Sequence, residues 1–398
     1  MRRLFSLGVA AAASVLAVGL ISAPARADTG GNLTQAQSRA LYEKINSLLP
    51  ADAQSTVAAL GDRLGLTDDS TAQDVIDAVI DPADYKCGDT PATAYVQSLT
   101  AGLTQDDLIE LAVILIYDPV DYDALFFPEP AANRHFGLDG EYTTRLQRRF
   151  AGLKGFWDIR SSGIELVPVH GSTLLDTTRV ARALKAELPT LSDDSAAQLA
   201  DAFRQIADQD KFDHGNFPLF TFNAFAFSAK GAPVPGVGTV SDKILVGDGV
   251  LEGMKTLGLD DIAPDAILSH EFGHHVQYQD GLDTATTLTG PEASRRLELM
   301  ADTFGSYYLT HLRGGHVGIK RVKDFVQMFY DLGDCQFTNV GHHGTPNQRR
   351  KAAEFGAVNA LLPATRVLPS RTLDARFEKA LPKIVAPDAS SMTAADVS

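Results

Sequence analysis

The pentapeptide His270-Glu271-Phe272-Gly273-His274 sets two imidazoles four positions apart, with a carboxylate beside the first. On an α-helix, residues four apart share a face, so both rings can reach one Zn²⁺ while Glu271 sits one position around, within reach of a zinc-bound water. Zinc lowers the pKa of that water toward roughly 7, and a carboxylate so placed takes its proton as it attacks a scissile carbonyl, then passes the proton to the leaving amine. Two histidines leave a catalytic zinc one protein ligand short. Glu298 is the candidate for the third. Asp302, four residues further along the same helical face, is placed to accept the free ring N–H of a ligand histidine. Both acids lie among Leu297, Leu299, Met300, Phe304, Tyr307 and Tyr308, where unpaired carboxylates would be costly. The expected cofactor is one Zn²⁺ per chain.

These residues need two helices to carry them. The first is bounded by Pro264 and Asp265 in its opening turn and by Asp280-Gly281 at its end, and Ile267, Phe272 and Val276 anchor it. His275 points away from the face shared by His270 and His274 and is expected to be structural. The second spans Pro291 to Arg313, stopped by Gly314-Gly315. Upstream, Phe222 to Phe227 and Lys243 to Val246 are strand-like, separated by a Gly/Pro-rich loop from Ala229 to Ser241. This pattern reads as a hairpin with a long tip. An edge strand beside the metal could hold a substrate peptide in extended form, with Asn223, Ala224 and Phe225 as candidate contacts. Ile164 to Val169 also reads as a strand, and Asp176 to Leu188 and Ala196 to Asp208 read as amphipathic helices.

Asn223-Ala224-Phe225-Ala226, Gly249-Val250-Leu251, Ile267 through His275 and Glu298-Leu299-Met300-Ala301-Asp302 resemble the ordered motifs of the M48-like (Ste24/HtpX-type) zinc metallopeptidases of the gluzincin clan. His343-Gly344-Thr345-Pro346-Asn347-Gln348-Arg349 extends the resemblance, which covers about residues 220–350. It implies zinc on His270, His274 and Glu298, with Glu271 as base. It also makes His343 a candidate for stabilising the oxyanion and Arg349 a candidate substrate contact, although Arg349 could equally pair with a carboxylate. The chain departs from the family pattern where Gly344 and Thr345 come between the distal His and Pro346. It also lacks the membrane spans of the integral-membrane members.

The 398 residues carry a net charge of −15, a solubilising surface that argues against nucleic acid or an anionic membrane as partner. Arg2-Arg3, the apolar run Leu4 to Ile21 and Ala25-Arg26-Ala27 make residues 1–27 a signal peptide, directing the chain to a secreted, periplasmic or cell-envelope location without stable membrane insertion after cleavage. The rest divides by pattern into a helical N-terminal domain (28–117), an irregular connecting region rich in Pro, Asp and aromatic residues (118–158), a zinc metallopeptidase domain (159–385) and a flexible tail (386–398). Cys87 and Cys335, the only cysteines, suit a disulfide in an exported chain. The expected architecture is α+β: a zincin-like domain with a small edge-exposed sheet, preceded by helices. The expected function is an exported zinc endopeptidase acting on peptide or protein substrates. The alternatives are a catalytically silent zincin-fold binding or scaffold protein, and a zinc hydrolase of a non-peptide amide.

Overall fold

The computed structural model describes residues 31–64, 90–234, 236–331, 344–361 and 366–386. The fold is mixed α+β and mostly helical (65%), with one three-stranded sheet. Among the described residues four helices come first: α1 (Gln35–Leu48), α2 (Ala53–Leu64), α3 (Pro91–Thr100) and α4 (Gln105–Tyr117). Thr34 and Thr104 close capping boxes at the starts of α1 and α4, satisfying backbone donors that a helix N-terminus leaves open. Next come α5 (Pro119–Phe126), α6 (Thr143–Phe156), β1 (Glu165–Val169), α7 (Thr177–Glu187) and α8 (Asp193–Ala207). The second half holds β2 (Ala224–Phe227), β3 (Lys243–Gly247), α9 (Asp248–Thr256), α10 (Ala263–Asp280), α11 (Gly290–Thr310), α12 (Ile319–Asp331), α13 (Pro346–Leu361) and α14 (Ser370–Ile384). Buried apolar side chains from Leu41 to Ile384 form one cluster. Among the described residues no helix is long and apolar enough to cross a membrane.

Strand β3 is central. It pairs antiparallel with β2, as the hairpin reading requires, and parallel with β1, with sheet order β1-β3-β2. The edge strand β2 is not exposed, for all four of its residues are buried. That corrects the expectation of an open edge. The physical reason is that α10 lies against it, the Tyr278 hydroxyl donating to the Ala226 carbonyl at 3.4 Å; α10 is also tied to the neighbouring β3, where His275 Nε2 donates to the Lys243 carbonyl at 3.0 Å.

The stretch 118–158, expected to be an irregular connector, instead contributes two packed helices. Asp118 takes a left-handed conformation (φ 42°) and Pro119 opens α5, all of whose residues are buried. What reads as loop composition is a turn followed by a proline-started helix, a first-turn position that suits proline. Arg179 on α7 holds α5 in place, its Nε 2.7 Å from Asp123 Oδ2 and its Nη1 2.8 Å from Glu129 Oε1. Helix α6 in turn fixes the start of α10. Arg145 Nε and Arg149 Nη2 donate to the two oxygens of Asp265 at 3.1 and 2.6 Å. Burial alone would raise the Asp265 pKa, but the two guanidinium groups outweigh it and hold the carboxyl below the usual aspartate range.

Candidate metal centre

Helix α10 runs from Ala263 to Asp280 and stops where Gly281 adopts φ 69°, a left-handed cap that glycine takes without a Cβ penalty. Helix α11 crosses it at close range. A Cβ on Gly273 would lie 3.1 Å from both the Cα and the carbonyl oxygen of Ala301, and one on Gly305 would lie 3.0 Å from the His270 nitrogen. The two glycines therefore let the backbones approach closely enough for side chains on α11 to meet those on α10. Helix α11 ends at Thr310 rather than Arg313, because the chain folds back on its last turn, with Gly315 N–H donating to the Tyr308 carbonyl at 2.8 Å.

At this crossing three donors converge. His270 Nε2 and His274 Nε2 are 3.2 Å apart, Glu298 Oε2 is 3.2 Å from the first, and Glu298 Oε1 is 3.4 Å from the second. Donors held at about 2.0–2.2 Å from a tetrahedral zinc stand roughly 3.3–3.6 Å from one another. The separations and the donor types, two imidazoles and one carboxylate, both fit that ion. The ligand atoms of His270, Glu271 and His274 lie within 4.8 Å of one another.

Each imidazole is oriented from behind. His270 Nδ1 donates to Asp302 Oδ1 at 2.7 Å, and His274 Nδ1 donates to Gln277 Oε1 at 2.9 Å. Gln277 is itself tied to the Leu297 carbonyl at 2.7 Å, which links the two helices again. With Nδ1 protonated on both rings, Nε2 of each faces the common point. Asp302 is fully buried and is gripped by Arg349, whose Nε and Nη2 donate at 2.8 and 2.6 Å. Arg349, read from sequence as a candidate substrate contact, is thus itself buried and spent on a carboxylate. Its planar fork matches the two oxygens of Asp302, the other role its chemistry allowed.

The charges follow from this packing. Burial pulls the His270 pKa down, but Asp302 and Glu298 outweigh it and raise it to about 10, so the metal-free ring carries two protons and a cation would displace one. Burial lowers the His274 pKa to about 4, leaving it neutral. Burial and the nearby Glu298 raise the Glu271 pKa to about 8, against the pull of His270, the Ala226 amide and Arg349. Neither Glu271 oxygen completes a hydrogen bond. A buried acceptor in that state is costly unless a proton or a bound molecule meets it.

The remaining sequence candidates are placed as follows. Asn223 donates its side-chain amide to Asp121 at 3.1 Å, and its carbonyl accepts from Gly247 N–H at 2.9 Å. Ala224 and Phe225 are buried in β2. Given the Asn223 to Gly247 bond, it is Ala226 that turns its peptide groups off the sheet toward α10. His275 is buried and bonded to the Lys243 carbonyl, and burial lowers its pKa to about 4. His343, Cys87 and Cys335 lie outside the described residues, as do residues 1–27 and nearly all of the 386–398 tail. Sequence reasoning missed Gln277 and Tyr278, although both sit one helical turn beyond His274, the spacing that signalled Asp302 from Glu298. Burial, then the charges of Glu271 and Glu298, push the Tyr278 pKa well above its ordinary value, so its hydroxyl stays protonated.

Compared with known proteins, the chain matches no family model, no curated protein and no solved structure.

Proposed function

We propose that the chain is an exported, zinc-dependent endopeptidase with a zincin-like catalytic region of the M48-like type, holding one Zn²⁺ on His270, His274 and Glu298. The observation that carries this reading is the meeting of those three side chains from two helices at separations of 3.2–3.4 Å, with Glu271 alongside. When bound, the zinc supplies a Lewis acid that polarises a carbonyl and brings the pKa of water toward about 7. Glu271 acts as general base: its unpartnered carboxylate accepts a proton from the attacking water and returns it to the leaving amine. Asp302 and Gln277 keep the imidazoles turned inward, and Arg349 holds the Asp302 carboxylate in place through two hydrogen bonds. Residues 1–27 supply the export signal.

The test is cleavage of a quenched peptide pool by the purified exported protein, with and without a chelator. Hydrolysis that is lost on chelation and restored by zinc is expected, with Glu271→Gln retaining metal but not activity. Full activity in Glu271→Gln would remove the mechanism. One observation favours a second reading. His270, Glu271, His274 and Glu298 are each at most 4% exposed, so substrate reaches them only after part of the structure moves. A protein that keeps the zincin arrangement closed and serves as a binding scaffold would bind zinc in the same assay and cleave nothing.

A further inference from the structure

Away from the zinc-ligand cluster, a cavity of about 710 Å³ opens between the end of α5, one face of α6 and the β1 side of the sheet. That volume lies within the range that takes small organic ligands. Its walls are aromatic, with Phe126, Phe127, Phe136 and Phe150 facing it. Its charged lining is mixed, with Arg134, Lys154 and Lys243 against Glu129 and Glu165, and the deepest of the cations is Lys243, the first residue of β3 and only 5% exposed.

The Lys243 ammonium donates to the Ala124 and Leu125 carbonyls at 3.0 and 2.7 Å, in the last turn of α5. An ammonium has three N–H groups. The third has no partner among the described residues. No carboxylate among the described residues lies within ion-pair distance of the ammonium: Asp123 is committed to Arg179 and Arg182 and Glu129 to Arg179, while Glu165, exposed, opposite Lys243 in the parallel register and also lining the cavity, acts on it from beyond that distance. Burial lowers the lysine's pKa against the pull of these acids, the direction expected of a cation short of a counter-ion. A buried charge without a partner is costly, and an anion arriving beside it recovers that cost.

The walls and the cation together restrict the occupant. A neutral apolar molecule would fill the aromatic space and leave Lys243 unanswered. A small inorganic anion would pair with Lys243 and leave the phenylalanines bare. We propose that this cavity binds an amphipathic monocarboxylate, its apolar chain or ring among the phenylalanines and its carboxylate on Lys243. Arg134, exposed and also lining the cavity, adds positive potential for such a ligand.

The experiment is calorimetric titration of the full chain at neutral pH with octanoate, with octanol of the same chain length, and with acetate. Octanoate is expected to bind at least about tenfold more tightly than octanol, the scale of one hydrogen bond to a charged group, and acetate not measurably. Lys243→Met is expected to bring octanoate down to the octanol level. Because Lys243 also ties down the end of α5, a second variant keeps the test decisive: Ala151→Trp, at an exposed cavity position on α6, blocks the space without touching the lysine and is expected to abolish octanoate binding. Equal binding of octanoate and octanol, no octanoate binding to the unaltered protein, or unchanged octanoate binding in Ala151→Trp would overturn the proposal.

Discussion

Replacing Arg349 by Met tests whether the support behind His270 is built as the geometry implies. The substitution keeps an unbranched apolar stem but removes two charge-assisted hydrogen bonds, at 2.8 and 2.6 Å, from a carboxylate with no solvent exposure. Asp302 is then left with the His270 bond at 2.7 Å as its only partner among the described residues. Breaking a buried pair by removing one member costs about 3–5 kcal/mol, a large part of the roughly 5–15 kcal/mol that separates folded from unfolded chains. Asp302→Leu is also expected to destabilise, because the guanidinium, 5.5 Å from the centroid of the Phe329 ring, loses its two charge-assisted hydrogen bonds to that carboxylate. The double variant carries no stranded charge, so its loss is expected to fall below the sum of the two singles by at least about 2 kcal/mol. Zinc affinity separates the two roles: it is expected to drop about 10- to 100-fold in both variants lacking Asp302, and less in Arg349→Met, where His270 keeps its partner. Urea unfolding and competitive zinc titration of the four proteins supply these numbers. An Arg349→Met protein within about 1 kcal/mol of the original, or strictly additive losses, would refute the reasoning.

Other expectations follow from the same geometry. Since the His270 pKa stands at about 10 without metal, zinc binding near pH 8 should release its proton. Affinity should then weaken about tenfold per pH unit as pH falls, from this group alone, and calorimetry in buffers of different ionisation enthalpy would reveal zero release if the assignment is wrong. His170 sits between two acceptors, Asp248 Oδ2 and the Asn133 carbonyl, each at 2.7 Å, so both ring nitrogens donate. Burial opposes its charge but Asp248 and Asn133 prevail, raising its pKa. The stability it contributes is therefore full below the unfolded value of about 6.5 and lost as pH rises through the folded value. Urea midpoints should decline over that alkaline side, and Asp248→Asn should flatten the decline; identical slopes in the two proteins would contradict the pairing.

What the sequence disclosed was whatever repeats at short spacing along one element. His270 and His274 share a face because they are four apart, and so do Glu298 and Asp302. Pro264 and Gly281 mark the ends of α10 for local steric reasons. Strands β2 and β3 were legible as a hairpin because their alternation is interrupted by a Gly/Pro loop. Partnerships between distant segments left no such trace. Nothing near Arg349 indicates that its fork closes on Asp302 rather than on a substrate, and nothing near Lys243 announces an aromatic cavity built from α5 and α6. The parallel pairing of β1 with β3 depends on the intervening α7 and α8 rather than on either strand. Segment 118–158 misled because proline and aspartate mark turns and helix starts alike. Glycine was the subtlest case: Gly273 reads as a spacer within the His-Glu-x-x-His pattern, but its lack of a Cβ is what lets α11 bring Glu298 to the histidines.

Zinc content bears most directly on the convergence of His270, His274 and Glu298. The purified protein, stripped of metal and dialysed against limiting zinc, should retain one equivalent per chain, with a marked loss of affinity in Glu298→Ala and in His274→Ala, while Glu271→Gln keeps its full equivalent. Absence of bound zinc in the unaltered protein, or equal retention when Glu298 is removed, would contradict the assignment of these three side chains as a metal site.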